Sequence, residues 1–554
     1  MNDHKVEEIL LEFANERMLE NGKDADRPIE LADNGDDRDS AGDSNIPAGY
    51  TYFGQFIDHD ITFDPASSLM RQNDPSGLIN HRTPRLDLDN LYGSGPNASP
   101  HLYDPEDKFK FAIAQHVSDG FVINDLPRVN TKGQRAGQDA VAVIGDPRND
   151  ENIIVSQLHL AFLMAHNRLY ATALDQAVLK TPDEVIDEDE LNERIEKLGD
   201  PAKEEAFNRA RRTLRWLYQY LVWNDFLRRI TESSLHKKGE TSIHSVALAL
   251  DTSSVAKWEL GLKNIYKWKH QPFIPIEFSV AAYRFGHSMV RNSYRTNFNH
   301  RGKRTIEKGK NGFEIFVPIF DNSTKSKKQD LRGKRILNLS NTIQWNWFLE
   351  MESSQSDFPQ MARKIDTKLS NALGFLHEQA IPRAIDEPRQ APLNFLAFRN
   401  LLRAHQFALP SGTSFAKKYC VDPIDLDFSI PKDQDVPTDL DSLWYYILKE
   451  AGSDKVEVGG SGNRLGKIGS LIVCATFAGL LKGDPNSYLN IQPCWDPKSD
   501  DLINGALPKL TQAVQNEVNK REKLKDENGE IFLTLSTIIR LSGLPIKESD
   551  MKRN

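Results

Sequence analysis

The sequence predicts a mainly α-helical protein with very little β structure. Apolar residues recur at helical spacing over long stretches that lack internal Pro and Gly. Alternating patterns typical of strands are short and few, and no repeat of roughly 20–50 residues points to a solenoid. The 554 residues, 39% of them hydrophobic, could form several domains, but no linker-like stretch divides them. We therefore expect one large helical domain.

Composition narrows the function classes. A net charge of -9 argues against nucleic acid as a partner, because phosphate binding needs clustered Lys and Arg. Three cysteines are too few for a disulfide framework or a thiolate metal site. There is no apolar run of roughly 18 residues, so no transmembrane segment is expected. The first residues lack the pattern of a signal peptide, so we expect a cytoplasmic protein by default, with secretion by another route left open.

The elements follow in order. Residues 1–45 are predicted to be an acidic, largely mobile arm that begins with an amphipathic helix over residues 6–19, and residues 46–554 to be one domain. Residues 47–130 are rich in Asp, Pro and Gly and read as mostly loops. Residues 153–178 then predict a long helix. Further helices are predicted over residues 201–230, 278–290, 359–373, 394–403 and 443–451.

The first of four polar clusters lies in residues 54–60, where Gln55, Asp58, His59 and Asp60 occur together among apolar residues. Adjacent side chains point in different directions, so the histidine could face a reaction cavity while a carboxylate faces a metal or a covalent partner. Taken alone, the cluster is better explained as the N-terminus of an ordinary helix with surface carboxylates and a hydrogen-bonded histidine.

The second cluster precedes the long helix. Asp146 and Pro147 fit an N-cap and a first helical position. Arg148 and Glu151 are three residues apart and would share a helical face. The pattern suits either a fixed positive charge aimed into a cavity or a surface ion pair of little energetic value.

The third and fourth clusters could form a metal centre. Gly286 inside a predicted helix costs about 1 kcal/mol relative to Ala, which is tolerable where something flat approaches the backbone. His287 beside it is a candidate axial metal ligand. Asn400 offers a carbonyl to the second ring N–H of such a histidine. A hydrogen-bonded core histidine and an ordinary helix C-terminus are the alternatives.

In this order, the clusters resemble the animal-type haem peroxidases of the peroxidase–cyclooxygenase superfamily, which includes bacterial members. The resemblance spans residues 48–545 and depends on four short sequence motifs. They are Gly-Gln-x-x-Asp-His-Asp from Gly54, Gly-Asp-x-Arg-x-x-Glu from Gly145, His-Asn-Arg-Leu from His166 and Arg-x-Gly-His from Arg284. It implies a single, mostly helical domain with haem b held between central helices.

The resemblance also implies site roles. His59 would be the distal base that moves the peroxide proton, Arg148 the distal cation, and Gln55 the distal amide near the halide site. On the other side of the haem, the implied residues are the iron ligand, its hydrogen-bond partner and two propionate partners: His287, Asn400, Arg284 and Arg403. Thr62 stands where the family has a carboxylate in its propionate network.

Covalent haem follows from the same resemblance. Asp58 and Glu151 match the carboxylates that form ester bonds to haem methyl groups in mammalian members. Asn152 replaces the Met that adds a sulfonium bond in myeloperoxidase, so we expect that bond to be absent and support for chloride oxidation to be weaker.

A calcium site is implied as well. Residues 83–89 resemble the family's calcium loop, and the implied oxygen ligands are Asp60, Thr83, Arg85, Asp87 and Asp89. Thr83 would supply its side chain and its carbonyl, and Arg85 its carbonyl.

The function implied is a peroxidase that reduces H2O2 and oxidises small donors such as phenols, bromide, iodide or thiocyanate. One alternative is a fatty-acid dioxygenase or cyclooxygenase-like enzyme, but its radical-forming Tyr would occupy the position of Arg284, and Tyr283 is about 100° away on a helix. The other is a non-haem metal-dependent hydrolase built on residues 58–60, which leaves Arg148, His287 and Asn400 unexplained.

Overall fold

The computed structural model describes most of the chain and is mainly α-helical, as predicted. The described residues are 3–19, 42–63, 80–129, 139–179, 181, 184, 186–232, 266–267, 271–297, 316–320, 330–351, 359–374, 395–419, 421–454, 460–507 and 533–553. No helix among them is both long enough and apolar enough to cross a membrane.

Helices account for most of the regular structure in these ranges. The α-helices are α1 (Asp3–Arg17), α2 (Gly49–Ile61), α3 (Asp89–Tyr92), α4 (Ile153–Val178), α5 (Glu188–Glu196), α6 (Asp200–Leu221), α7 (Leu227–Ile230), α8 (Asn371–Gly374), α9 (Leu396–Gln406), α10 (Gly412–Lys418), α11 (Leu443–Ala451), α12 (Lys467–Gly483), α13 (Tyr488–Ile491), α14 (Asp501–Ala506) and α15 (Ser536–Ser542). The 3-10 helices are Pro100–Leu102, Pro147–Asp150, Ala282–Met289, Leu339–Asn341, Trp345–Trp347 and Glu548–Asp550, and π-helical turns span Val222–Phe226 and Glu277–Ala281.

The strands are short and pair in twos. They are β1 (Asp43–Pro47), β2 (Ala114–Ser118), β3 (Phe121–Asp125), β4 (Arg128–Val129), β5 (Val141–Ala142), β6 (Ser293–Tyr294), β7 (Val317–Pro318) and β8 (Met361–Arg363). In the described part of the chain they form antiparallel pairs: β1 with β8, β2 with β3, β4 with β5, and β6 with β7. The expectation of very little β structure is confirmed.

Several predicted helices have the predicted bounds. α4 and α11 begin and end at the predicted residues. The predicted helix 201–230 is observed as α6, the π-helical turn and α7 in succession. α4 begins where it does because the Asn152 side chain accepts the backbone N–H groups of Ile154 and Val155.

Two helix predictions are wrong. Residues 359–373 contain β8 and then the single turn α8, because β8 pairs with β1 in the register Asp43↔Arg363. Residues 278–290 form the π turn and the 3-10 helix instead of an α-helix. There the side-chain Nε of Arg284 donates to the Ser279 carbonyl at 3.1 Å, which occupies an acceptor that a regular helix would use.

Several observed helices were not predicted, and two of them, α2 and α12, contribute most to the core of unit 1. α2 lies within residues 47–130, read as loops, and most of its side chains are buried. α12 receives its N-terminal cap from another helix, since the Ile468 N–H donates to Glu450 Oε2 at 2.9 Å.

The chain divides into two compact units, each made of three stretches. Unit 1 comprises Met1–Arg85, Phe226–Arg332 and Pro359–Gly483, and unit 2 comprises Leu86–Asp225, Gly333–Phe358 and Asp484–Asn554. In unit 1, the 3-10 helix Ala282–Met289 contacts α2, α11 and α12, while in unit 2 α4 packs against α6 and α15.

The N-terminal residues are in part tightly packed. α1 packs against α9, and the side chains of Phe13, Ala14 and Met18 are fully buried. The acidic run of the predicted arm lies within residues 20–41, outside the described residues. Its mobility and the domain boundary at residue 46 stay predictions.

Candidate active site

Helix α2 carries the first cluster in unit 1. Its apolar side chains are buried, and so are His59, at 5% exposure, and Asp60, at 0%. Asp58 is partly exposed, and its Oδ1 accepts a hydrogen bond from Thr62 Oγ1 at 3.0 Å. Gly54 lets this helix approach its neighbour closely, because a Cβ there would lie 3.2 Å from the Phe226 ring.

The structure brings His287, Asn400 and Arg284 together in unit 1. The Asn400 side chain is almost fully buried, and its Nδ2 lies 3.0 Å from His287 Nδ1. Its Oδ1 accepts a hydrogen bond from Arg284 Nη1 at 3.1 Å. The structure therefore places the amide nitrogen of Asn400 next to the His287 ring, not the carbonyl that was predicted there, because the carbonyl is bonded to Arg284. Helix α9 and the 3-10 helix therefore share a polar chain that runs from Arg284 through Asn400 to His287.

Positive charge is concentrated around this chain. Burial, with the neighbouring Arg403, lowers the pKa of Arg284 to about 9, while Asp58 opposes the shift and Arg399 adds to it. Arg403 also lies over the Phe407 ring, 5.4 Å from its centroid. Such a cationic, partly desolvated cluster suits an anionic group such as a carboxylate.

His287 is held neutral. Burial, together with the charges of Arg284 and Arg399, lowers the pKa of His287 to about 3. A neutral imidazole has one nitrogen lone pair. Because the Asn400 amide N–H faces Nδ1, that lone pair lies at Nδ1 and the proton at Nε2, so a metal could bind at Nε2 only if the Asn400 side chain turned its Oδ1 toward Nδ1. Arg399 was not among the predicted site residues, although its i, i+4 spacing to Arg403 on α9 was a usable signal.

Open space lies beside His287. A Cβ placed on Gly286 would meet no atom within 4 Å, so this stretch of backbone faces an unfilled volume. A flat group could approach the backbone here, as the sequence pattern suggested. The neutral imidazole, the cationic cluster and this open space together fit the needs of a haem.

Tyr283 connects the 3-10 helix to α2. Its hydroxyl donates to the Gly54 carbonyl at 3.3 Å, and its ring stacks on Phe278 at 4.6 Å between centroids. Burial raises the pKa of Tyr283 well above its ordinary value, and the negative charge of Asp58 raises it further. The tyrosine is therefore a neutral hydrogen-bond donor that fixes these two elements to each other.

The second cluster lies in unit 2. Asp146 caps the 3-10 helix Pro147–Asp150 by accepting the backbone N–H of Arg148 at 2.9 Å. The same carboxylate, fully buried, binds the Arg148 guanidinium, with Nη2 at 2.7 Å and Nε at 3.1 Å. The guanidinium is thus held in one orientation. Glu151, the residue after this 3-10 helix, is exposed, and its backbone carbonyl accepts a hydrogen bond from the Gly333 N–H at 3.0 Å.

A buried ion-pair triad that the sequence did not predict supports this turn. Arg128 donates to Asp125 through Nε at 3.1 Å and to Asp150 through Nη1 at 2.8 Å, and all three side chains are at most 3% exposed. Because Asp150 is the last residue of the turn that carries Arg148, the triad fixes the position of that turn.

The predicted calcium ligands are divided between the units. In unit 2, Asp87 and Asp89 bring carboxylate oxygens within 4.8 Å of each other. In unit 1, the Thr83 carbonyl accepts the Arg85 N–H at 2.8 Å, and Asp60 is buried on α2. Paired carboxylates in one turn are the donor type that Ca²⁺ prefers. The roles of these and the other site residues stay predictions.

Comparison with known proteins identifies a family. The chain matches the family described as animal haem peroxidase over residues 67–359, more than half of its 554 residues. No curated protein matches it. Among solved structures, peroxidase A from Dictyostelium discoideum shares 16% identity over 81% of each chain, with a TM-score of 0.46.

Fatty acid α-dioxygenases are also similar to this chain. The Oryza sativa enzyme shares 14% identity over 86% of this chain and 72% of its own, with a TM-score of 0.46. The Arabidopsis thaliana enzyme shares 14% over 81% and 69%, with a TM-score of 0.47. These scores lie below 0.5, so the family assignment rests on the family match, by which the chain belongs to the animal haem peroxidases.

Proposed function

We propose that this protein is a haem peroxidase that reduces H2O2 and oxidises small donors such as phenols, bromide, iodide or thiocyanate. The observation that carries the proposal is the contact between the partly buried His287 and the buried Asn400, 3.0 Å apart, in a cationic cluster next to open space at Gly286. Family membership supports the haem.

Unit 1 contains the residues that would hold haem b. His287 would ligate the iron, and the Asn400 amide would fix the orientation of its ring. Arg284 and Arg403 would bind the propionates, and we add Arg399 to them because its charge acts on both His287 and Arg284. Bound haem would supply an iron centre that peroxide oxidises by two electrons and that small donors then reduce again.

The remaining residues would move protons and stabilise charge. His59, buried on α2, would accept the peroxide proton at a ring nitrogen and return it to the other oxygen. Arg148, fixed by Asp146, would present a preorganised positive charge to the polarised O–O bond. Gln55 would hold a water molecule near the halide.

Two further parts of the proposal concern how the haem and α2 are held. Asp58 and Glu151 would form ester bonds to the haem. The Asn152 side chain caps α4, which supports a structural role in place of a third haem bond. Ca²⁺ would bind the oxygens that the resemblance assigns: Asp60, Thr83, Arg85, Asp87 and Asp89.

The dioxygenase alternative has less support. The position three residues before His287 holds Arg284, whose guanidinium is bonded to Asn400. The hydroxyl of Tyr283 is bonded to the backbone of α2.

An optical spectrum of the purified full chain, before and after one equivalent of H2O2, tests the proposal. We expect a Soret band that peroxide shifts. His59→Ala should keep the band but react about 10²–10⁴-fold more slowly, the usual contribution of general acid–base catalysis. His101→Ala, which changes an exposed histidine, should react like the wild type.

Each result decides a different part. Absence of a Soret band after haemin is added would overturn the peroxidase and favour the hydrolase. Unchanged peroxide reactivity in His59→Ala would overturn the distal assignment alone. Extraction of the haem from the peroxide-treated wild type by acidified acetone would overturn the ester bonds of Asp58 and Glu151.

A further inference from the structure

A buried glutamine in unit 2 holds the backbone next to the proposed calcium ligands. Gln219, on α6, is 0% exposed. Its Nε2 donates to the Leu86 carbonyl at 3.0 Å, and its Oε1 accepts the Tyr488 N–H at 3.1 Å. A buried amide is costly unless both ends are hydrogen-bonded, and here both ends are. Gln219 therefore ties the residue before Asp87 to the first residue of α13.

The loop that it holds has an unusual backbone. Leu86 and Leu88 are buried on either side of Asp87. Leu88 adopts the left-handed conformation, with φ 60° and ψ 37°, which costs a non-glycine residue roughly 1–2 kcal/mol. This turn brings the Asp87 and Asp89 carboxylates within 4.8 Å of each other. Two carboxylates at that distance repel when no cation is present, so the backbone must be held by other contacts.

We infer that Gln219 is a positioning residue for Ca²⁺. It does not ligate the ion; its amide fixes the Leu86 carbonyl, so that Asp87 and Asp89 are already in place when Ca²⁺ arrives. The inference rests on the calcium part of the proposed function. Outer residues that orient metal ligands typically contribute about 10–100-fold to metal affinity.

The chain offers a matched control in the same unit. Gln157, on α4, is 3% exposed and also uses both ends of its amide. Its Nε2 donates to the Asn341 carbonyl at 2.9 Å, and its Oε1 accepts the Ile343 N–H at 2.8 Å. It bridges backbone that carries no proposed calcium ligand, so Gln157→Met removes the same kind of bridge elsewhere.

Calorimetric titration of CaCl2 into the chelator-treated full chain tests the inference. Gln219→Met should bind Ca²⁺ about 10–100-fold more weakly than the wild type, and Gln157→Met should keep wild-type affinity. Gln219→Glu keeps an acceptor for the Tyr488 N–H but has no N–H for the Leu86 carbonyl, so it should also bind weakly. Thermal unfolding in excess chelator reports whether each variant is folded.

The outcomes separate the two proposals. Wild-type affinity in both Gln219 variants would overturn the inference and leave the calcium site standing. An equal loss in Gln157→Met would also overturn it, because the loss would then be a general effect of a broken bridge. If the wild type binds no Ca²⁺, the calcium site and the inference fail together. If Gln219→Met does not fold, Gln219→Glu decides.

Discussion

Acid should destabilise unit 2 through His166, a histidine on α4 that is 0% exposed. Its Nδ1 lies 3.0 Å from the Tyr92 hydroxyl and its Nε2 lies 3.2 Å from the Phe109 carbonyl. The neutral ring satisfies both contacts, accepting from the hydroxyl at Nδ1 and donating to the carbonyl from Nε2. A second proton would displace the Tyr92 hydrogen bond and place a charge in the core.

The size of the effect follows from the pKa of His166, which burial lowers from 6.5 to about 3. Between these values the unfolded chain binds a proton that the folded chain does not. The contribution of neutral His166 to the free energy of unfolding is therefore complete above pH 6.5. It is lost as the pH falls toward 3, by about 1.4 kcal/mol per pH unit. The loss is about 2 kcal/mol at pH 5, a large part of a typical folding free energy of roughly 5–15 kcal/mol.

Urea unfolding at pH 7 and pH 5 measures this effect. His166→Gln keeps a donor for the Phe109 carbonyl and an acceptor for the Tyr92 hydroxyl, but it does not titrate. Its stability should fall by about 2 kcal/mol less than that of the wild type between the two pH values. His101→Gln changes an exposed histidine and should behave like the wild type. An unchanged pH dependence in His166→Gln would refute the reasoning.

Two further predictions concern packing. Arg128→Met should lower the free energy of unfolding in urea by about 3–5 kcal/mol, because it leaves two buried carboxylates without their cation. The control Arg209→Met breaks an exposed ion pair and should cost about 1 kcal/mol or less. Equal losses in the two variants would contradict the argument. Phe13→Ala should lower the free energy of unfolding by about 3–5 kcal/mol, measured by thermal unfolding. The Phe13 ring is fully buried and packs edge-on against Tyr445, with 5.0 Å between the ring centroids. An unchanged thermal transition would mean that α1 is not packed against the domain in solution.

Elements with local signals were predicted well. In α4 and α11 the apolar residues recur at helical spacing directly after a local capping residue, Asn152 and Ser442 respectively. α12 is capped by Glu450, 18 residues before the N–H it accepts, so its start has no local signal. The strand β8 was read as a helix because its partner β1 is over 300 residues away, as in the pairing Asp43↔Arg363.

The candidate site shows the same division. Chemical roles for His59 and Arg148 could be predicted from short sequence motifs, because the chemistry of each is a property of the side chain itself. The pairing of Asn400 with His287, 113 residues apart, was one of two open interpretations of the residues until the family resemblance favoured it, and nothing local to either residue indicated that the amide nitrogen would face the ring. The bridging role of Gln219 gave no sequence signal, because a glutamine between apolar residues on α6 looks like any solvent-facing position.

The packing of α1 bears on how the protein is handled. One face of α9 presents Asn400 to His287, and the helix also contacts α1. The first helix is thus part of the wall behind the proposed iron ligand. Removal of α1 would therefore take away a helix that packs against α9, the element that carries Asn400 of the proposed haem site.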